Sequence, residues 1–320
     1  CGTGSYIPPK ILSNDDLSEM VETSDEWIRE RTGVRNRHIA GEETSSFMAS
    51  EAAKRAVENA GISPEEIDLI LVASSSPDVI FPSVACKVQK AIGAVHASGY
   101  DMQAACTGFV FAYQTAQAYI EAGFYKTILL IGSEALSTMV DWTDRGTCIL
   151  FGDGAGAAIL CAAEGKTYLP AAHMDGRKGE ALVCRSRFSD RFLEKYQNTG
   201  KVPGDTYISM DGRGVFQFAV KSVPQVVTEV LEKALLTTDE IDWFILHQAN
   251  QRIVESVAKR LKTDIERFPM NLQEYGNTSS ASIPILLDEM NRDGRLKRGQ
   301  KIIIAGFGAG LAWGASILEW

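Results

Sequence analysis

Apolar residues in this chain gather in short runs with few polar interruptions. The stretches 67–71, 127–132, 156–160, 241–246, 301–306 and 314–318 are of this kind, and a run without polar alternation marks a strand covered on both faces. Between them, apolar positions recur at helical spacing over 46–60, 110–122, 215–235 and 251–262, with Pro224 expected to kink the third. Helices alternating with buried strands predict an α/β protein built in layers.

The runs also repeat. Ser63-Pro64-Glu65-Glu66-Ile67-Asp68-Leu69-Ile70-Leu71 matches Thr237-Thr238-Asp239-Glu240-Ile241-Asp242-Trp243-Phe244-Ile245 at an offset of 174, and Thr127-Ile128-Leu129-Leu130-Ile131-Gly132 matches Lys301-Ile302-Ile303-Ile304-Ala305-Gly306 at the same offset. Gly156-Ala157-Ala158-Ile159-Leu160 matches Gly314-Ala315-Ser316-Ile317-Leu318 at 158, so the second copy is shorter near its end. Two such halves are expected to face each other across a pseudo-twofold, with equivalent strand ends meeting at the centre. That symmetry pairs Cys106 with Ser280 and predicts that Cys106 converges with the loop around Asn277. Residues 164–206, rich in glycine and charge, read as the crossover and a surface excursion between halves.

With 320 residues, 45% of them hydrophobic, the chain can fill a large core. A net charge of −9 without a basic stripe argues against nucleic acid as the main partner. Six cysteines form no CxxC pair and four histidines show no zinc spacing, which points to no metal and to a reduced, cytoplasmic setting. The uncharged stretches 102–120 and 302–318 approach bilayer length, but the first is studded with Gln and Thr. The second is broken by glycines and reads better as two strands joined by a turn, so no membrane partner is expected.

Candidate chemistry begins at Cys106, where small residues lead into the helical stretch 110–122. A thiol of ordinary pKa, about 8.5, is barely ionised at neutral pH, and the unpaired N–H groups of a helix start favour its thiolate. Taken singly, such a cysteine is more often a packing residue, a histidine ending a buried strand a satisfied one, and Asn-Thr-Ser-Ser a turn. Here His247 ends the run 241–246 and Asn277 sits in Tyr275-Gly276-Asn277-Thr278-Ser279-Ser280. Thiol, imidazole and amide, each at a strand end or loop, suit acyl transfer. Phe151-Gly152-Asp153-Gly154-Ala155-Gly156 lacks the Lys-Ser/Thr ending of a phosphate loop and reads as a turn before a strand.

Together with Gly2-Thr3-Gly4-Ser5-Tyr6-Ile7-Pro8, Ser24-Asp25-Glu26-Trp27-Ile28 and Phe307-Gly308-Ala309-Gly310, these segments resemble the β-ketoacyl-acyl carrier protein synthase III family over essentially the whole chain. The resemblance implies a thiolase-like fold, two duplicated halves layered α-β-α-β-α: 1–163 with the nucleophile and 164–320 with the histidine and asparagine. It implies that Cys106 takes an acyl group from coenzyme A and that malonyl-acyl carrier protein then loses carbon dioxide and attacks the acyl-cysteine. His247 and Asn277 would stabilise the enolate, while the Cys106 N–H and the 307–310 loop would hold the acyl oxyanion. It further implies coenzyme A contacts at Trp27, Arg31, Arg145 and Asn250, with Trp27 and Arg145 sandwiching adenine. Arg252, Lys259 and Arg260 would meet the acidic carrier protein, and Phe81 would close the acyl pocket across a homodimer interface. No cofactor is expected beyond the coenzyme A thioester, which is a substrate.

An elongating synthase would carry a second histidine where Asn277 stands, and a thiolase a cysteine in its last glycine loop; neither is present. Hydroxymethylglutaryl-coenzyme A synthase needs an acid upstream, where Ser74-Ser75-Ser76 stands with Asp78 beyond. A secondary-metabolite acyltransferase with the same triad and a catalytically silent partner subunit stay open. Ala309 stands where the family often has glycine, which puts the loop's oxyanion role in question.

Overall fold

The structure is a computed structural model that describes residues 1–185 and 206–320; part of the expected excursion, 186–205, lies outside the described residues. From the N-terminus, β1 (Gly2–Tyr6) is followed by the short pair β2 (Ile11–Ser13) and β3 (Asn36–His38), then β4 (Leu69–Ala73), β5 (Ser98–Met102), β6 (Thr127–Glu134) and β7 (Gly154–Cys161). The second half adds β8 (Ala171–Met174), the short pair β9 (Leu182–Val183) and β10 (Ser209–Met210), β11 (Trp243–Leu246), β12 (Lys301–Gly308) and β13 (Ala312–Glu319). β12 and β13 are the glycine-joined strands expected over 302–318. No helix among the described residues is long and apolar enough to cross a membrane.

The duplication is visible in the sheets. One has the order β1-β7-β6-β4-β5, the other β8-β13-β12-β11, with β4 parallel to β6 as β11 is to β12, and β6 antiparallel to β7 as β12 is to β13. Even the register repeats: Leu71 faces Leu130 and Ile245 faces Ile304, each pair 174 positions on from the other, while Gly132 faces Gly156 and Gly306 faces Gly314. Among the described residues of these two sheets, only β5 lacks a counterpart. The equivalent stretch holds the short helix Leu272–Tyr275, so β5 is left as an edge strand paired on one side alone.

Helices complete the five layers. Ser45–Ala60 packs on the outer face of the first sheet and Gly212–Ala234 on that of the second, while Gly108–Glu121 and Ser282–Arg292 lie between the sheets and touch both. Apolar cores lie outside each sheet and between the two, the central one, shared by both sheets, built from Leu69, Leu71, Phe109, Ile128, Leu130, Ile283, Leu286, Ile302 and Ile304. Thr44 and Gly61 cap the first helix, Gly61 in the left-handed conformation that glycine adopts without strain. Gly212–Ala234 runs as one helix through Pro224, starting earlier than the apolar spacing suggested because Asp211 caps it.

The halves meet closely. A Cβ on Gly132 would stand 2.3 Å from the Ser280 carbonyl oxygen, and one on Gly156 2.5 Å from the Ile285 nitrogen; glycine at both positions is what lets strand and helix backbones touch across the seam. Cys1 and Cys161 are joined as a disulfide with their Cα atoms 6.1 Å apart. Cysteine spacing had pointed to no such pair, because the two, 160 residues apart in sequence, meet only through the pairing of β1 with β7.

Candidate active site

At the centre of the seam the two halves present the same local device. Ala105 and Ser279, equivalent under the repeat, both take positive φ, 46° and 50°, and each opens a short turn (Ala105–Thr107, Ser279–Ala281) that leads into one of the two central helices. Positive φ is uncommon for residues with a Cβ and persists where the surroundings impose it. The device raises Cys106 on one side and Ser280 on the other toward the same point. Cys106 and the Asn277 loop therefore converge as the repeat predicted.

Cys106 is 8% exposed and lines a cavity of about 430 Å³ together with His247, Asn277, Phe307 and Gly308. A Cβ on Gly308 would fall 2.9 Å from the Cys106 Cβ and 3.0 Å from its nitrogen, so glycine brings that backbone against the nucleophile. Ala309 is not among the cavity's lining residues, and its methyl does not enlarge or fill the cavity. The helix start behind Cys106 is present, but burial outweighs it. Burial pushes the thiol up to about 12, opposed by a Ser279 hydrogen bond and reinforced by the charge of Glu134. Burial thus works against the thiolate that the helix start favours.

His247 extends β11, its N–H bonded to the Ala305 carbonyl at 2.9 Å, and its ring meets the Phe307 ring edge-on at 5.2 Å. Burial lowers its pKa to about 3, so the imidazole is neutral at physiological pH. Nδ1 lies 2.8 Å from the Ser282 Oγ, which also accepts from the Gln248 N–H at 3.3 Å. A hydroxyl that donates to Nδ1 leaves the ring proton on Nε2, the tautomer an oxyanion donor requires.

Asn277 is held by its backbone to the 150–152 loop: its N–H bonds the Leu150 carbonyl at 2.8 Å and its carbonyl accepts from Gly152 at 3.1 Å. Its Oδ1 accepts from the Ser279 N–H at 2.9 Å. That bond fixes the amide plane and leaves Nδ2 as the donor end. Three residues from remote parts of the chain thus present, in one apolar cavity, a sulfur and two neutral donors.

The outer cavity is lined by Trp27, Arg31, Asn250 and Arg252. Asn250 caps the helix Gln251–Leu261 through the Arg252 N–H and donates from Nδ2 to the Arg31 carbonyl at 3.0 Å. Arg145 lies directly over Trp27, its Cζ 4.9 Å from the ring centroid, and is also tied to the Glu22 carbonyl. The two do not form an open sandwich in this state; a flat ring could enter only as Arg145 swings away. Arg252, Lys259 and Arg260 are exposed on their helix, as expected, but Glu255 is exposed with them. Phe81 is 84% exposed beside Val79 and Ile80 and does not reach the cavity within one chain.

Several cavity residues left no readable signal in the sequence. Arg213 and Phe216, near the start of the helix Gly212–Ala234, and Leu182 and Met210 from the β9–β10 pair all line it. Ser282 and Glu134 sit inside ordinary helix and strand patterns, and only the tertiary contacts give them meaning. Among the described residues no three of His, Cys, Asp or Glu are grouped to hold a metal ion.

Comparison with known proteins gives a uniform result. Residues 100–176 match the 3-oxoacyl-[acyl-carrier-protein] synthase III family and residues 231–320 match its C-terminal domain. The chain is 50% identical to the β-ketoacyl-[acyl-carrier-protein] synthase III of Clostridium acetobutylicum, with all of this chain and 97% of that protein covered. It superposes on the crystal structure of 3-oxoacyl-[acyl-carrier-protein] synthase III from Aquifex aeolicus VF5 with a TM-score of 0.92 and 43% identity, covering 100% and 98% of the two chains. A priming β-ketosynthase of the R1128 polyketide biosynthetic pathway superposes with a TM-score of 0.93 at 35% identity, covering 99% and 94%.

Proposed function

The chain belongs to the β-ketoacyl-acyl carrier protein synthase III family, and from that membership we propose how its residues carry out the reaction that initiates fatty acid synthesis. The protein is an acyltransferase: an acyl group from coenzyme A is condensed with malonyl-acyl carrier protein, with loss of carbon dioxide, to a β-ketoacyl-acyl carrier protein. In this reading the Cys106 sulfur attacks the acyl thioester, with the N–H groups of Cys106 and Gly308 beside the oxygen that becomes negative. Decarboxylation then leaves an enolate on the malonyl thioester, which receives hydrogen bonds from His247 Nε2 and Asn277 Nδ2 and attacks the acyl-cysteine carbonyl. A neutral imidazole suits this step because it donates without protonating the carbanion. The observation that carries the reading is the meeting of Cys106, His247 and Asn277 in one cavity against the Gly308 backbone.

Trp27, Arg31, Arg145 and Asn250 would hold coenzyme A, and Arg252, Lys259 and Arg260 the carrier protein. The open edge of β5 and the apolar tip Val79, Ile80 and Phe81 support a homodimer, since an unpaired edge beside exposed apolar side chains is a surface proteins cover. No resident cofactor is invoked. The enzyme would act in the cytoplasm on its coenzyme A thioester substrates.

Mass spectrometry of the intact protein after incubation with a panel of acyl-coenzyme A thioesters, with peptide mapping, tests the assignment. A single acyl group on Cys106 is expected, and none on Cys106→Ala. Acylation retained at Cys86, Cys148 or Cys184 would overturn it, and stoichiometric labelling of Cys106 would exclude a silent partner subunit.

A further inference from the structure

Arg37, on β3, has none of its surface exposed, and the condensation scheme leaves its charge without a role. Nη1 donates to the Leu12 carbonyl at 3.1 Å, and Nη2 donates to Asn14 Oδ1 at 2.8 Å and to the Ile149 carbonyl at 2.9 Å. Nε has no partner, and among the described residues no carboxylate pairs with the guanidinium. A buried cation answered only by neutral oxygens is costly, and an apolar side chain of similar length would fill the space at less cost. What only a guanidinium supplies is its fork: flat and rigid, it holds acceptors from separate segments in one arrangement.

The acceptor that bears on the site is Ile149. It follows the short helix Arg145–Cys148 and opens the stretch 149–152, where Leu150 and Gly152 bond both backbone groups of Asn277. The far end of that stretch is tied to β3 as well, because the Asp153 N–H donates to the His38 carbonyl at 2.8 Å. Little slack is left between the two ties. A Cβ on Gly152 and one on Gly276 would each stand 3.3 Å from the Arg37 Cβ, so the arginine's stem packs against backbone on both sides of the Asn277 pairing. A shift of the 149–152 stretch is therefore passed to the Asn277 amide.

We propose that Arg37 is a positioning residue for the decarboxylation step: its guanidinium fixes the Ile149 carbonyl and, through the 149–152 stretch, fixes where the Asn277 amide stands. The coenzyme A side is held separately. Asn14 gives its Oδ1 to Arg37, but its Nδ2 donates to Asp25, the first residue of the helix Asp25–Thr32 that carries Trp27 and Arg31, and to the Val34 carbonyl. Neither of those bonds involves the guanidinium.

The proposal rests on Asn277 serving the enolate, and its test follows carbon dioxide release from malonyl-acyl carrier protein by enzyme already acylated at Cys106. Arg37→Lys keeps the charge but loses the fork. Its maximal rate of release is expected to fall about 10- to 10²-fold, the scale of a catalytic group displaced from its working position. The half-saturating carrier-protein concentration and the rate of Cys106 acylation should stay within about 3-fold of wild type, because only the charge-building step needs the amide in place. The double variant decides between positioning and general support. Once Asn277 is replaced by alanine there is no amide to position, so adding Arg37→Lys to Asn277→Ala should change release by less than about 2-fold. Losses that multiply in the double variant, or acylation falling in step with decarboxylation, overturn the proposal. Arg37→Gln carries the same comparison if the lysine variant does not fold, and failure of both to fold would assign Arg37 to the fold alone and overturn it too. If Asn277→Ala by itself released carbon dioxide at the wild-type rate, the enolate role of Asn277 would fall, and the positioning role with it.

Discussion

Asn277 commits its carbonyl oxygen to the Ser279 N–H and faces the cavity with its amide protons, so its loss should register only in the step that builds charge opposite it. Asn277→Ala is expected to slow carbon dioxide release from malonyl-acyl carrier protein about 10²- to 10³-fold, the scale of one oxyanion donor. Labelling of Cys106 by acyl-coenzyme A should persist; an equal fall in both would reassign Asn277 to organising the site. His247 makes a prediction about stability. Its native pKa of about 3 lies below the ordinary value of 6.5, so between these pH values the unfolded chain binds a proton that the native protein does not. Stability should rise with pH through that window and lose this dependence above it. His247→Asn should show a smaller drop in urea midpoint from pH 7 to 5 than wild type; an unchanged drop would mean that the native imidazole is already charged. The identities of these side chains were legible because the spacing of rare residue types survives in one dimension. Their partners, Ser282 and Glu134, were not, since a serine in a helix and a glutamate in a strand carry no mark of what faces them.

Among the elements, strands and helices were readable wherever one pattern ruled a whole segment. The run 301–306 and its sequel 314–318 became β12 and β13, and 46–60 became Ser45–Ala60. Short pieces set by tertiary contact, such as β9 and β10 under the cavity, escaped because two residues have no period. The loop carrying Phe81 was placed by resemblance alone, and in one chain its tip points at nothing. With the partner subunit proposed above, Phe81→Thr should lengthen the acyl chain accepted at Cys106, read by mass spectrometry across a series of acyl-coenzyme A lengths. An unchanged length profile would argue against the gate, and a monomer in sedimentation would remove its basis.

At the level of the whole molecule, the repeat at offset 174 was enough to foresee that Cys106 and the Asn277 loop meet, because like halves with like registers place like strand ends together. What it could not foresee is how closely. Gly132→Ala would drive a methyl into the Ser280 carbonyl and is expected to destabilise by about 1–3 kcal/mol while impairing acylation and decarboxylation alike. Gly165→Ala, with open space around it, should leave melting temperature and both activities unchanged; matching behaviour of the two variants would mean that the seam tolerates separation. The rim of the cavity has a consequence of its own. Trp27, Arg31 and Asn250 stand beside Arg252 on that rim, and Asn250 is bonded to the Arg31 backbone; if, as proposed, the first three hold coenzyme A and Arg252 the carrier protein, the two substrates share ground and would not be seated at once. Steady-state kinetics should therefore be ping-pong: double-reciprocal plots at several carrier-protein concentrations should run parallel, and excess malonyl-acyl carrier protein should inhibit competitively against acyl-coenzyme A. Intersecting lines would mean a ternary complex, and with it two separate ways into the cavity.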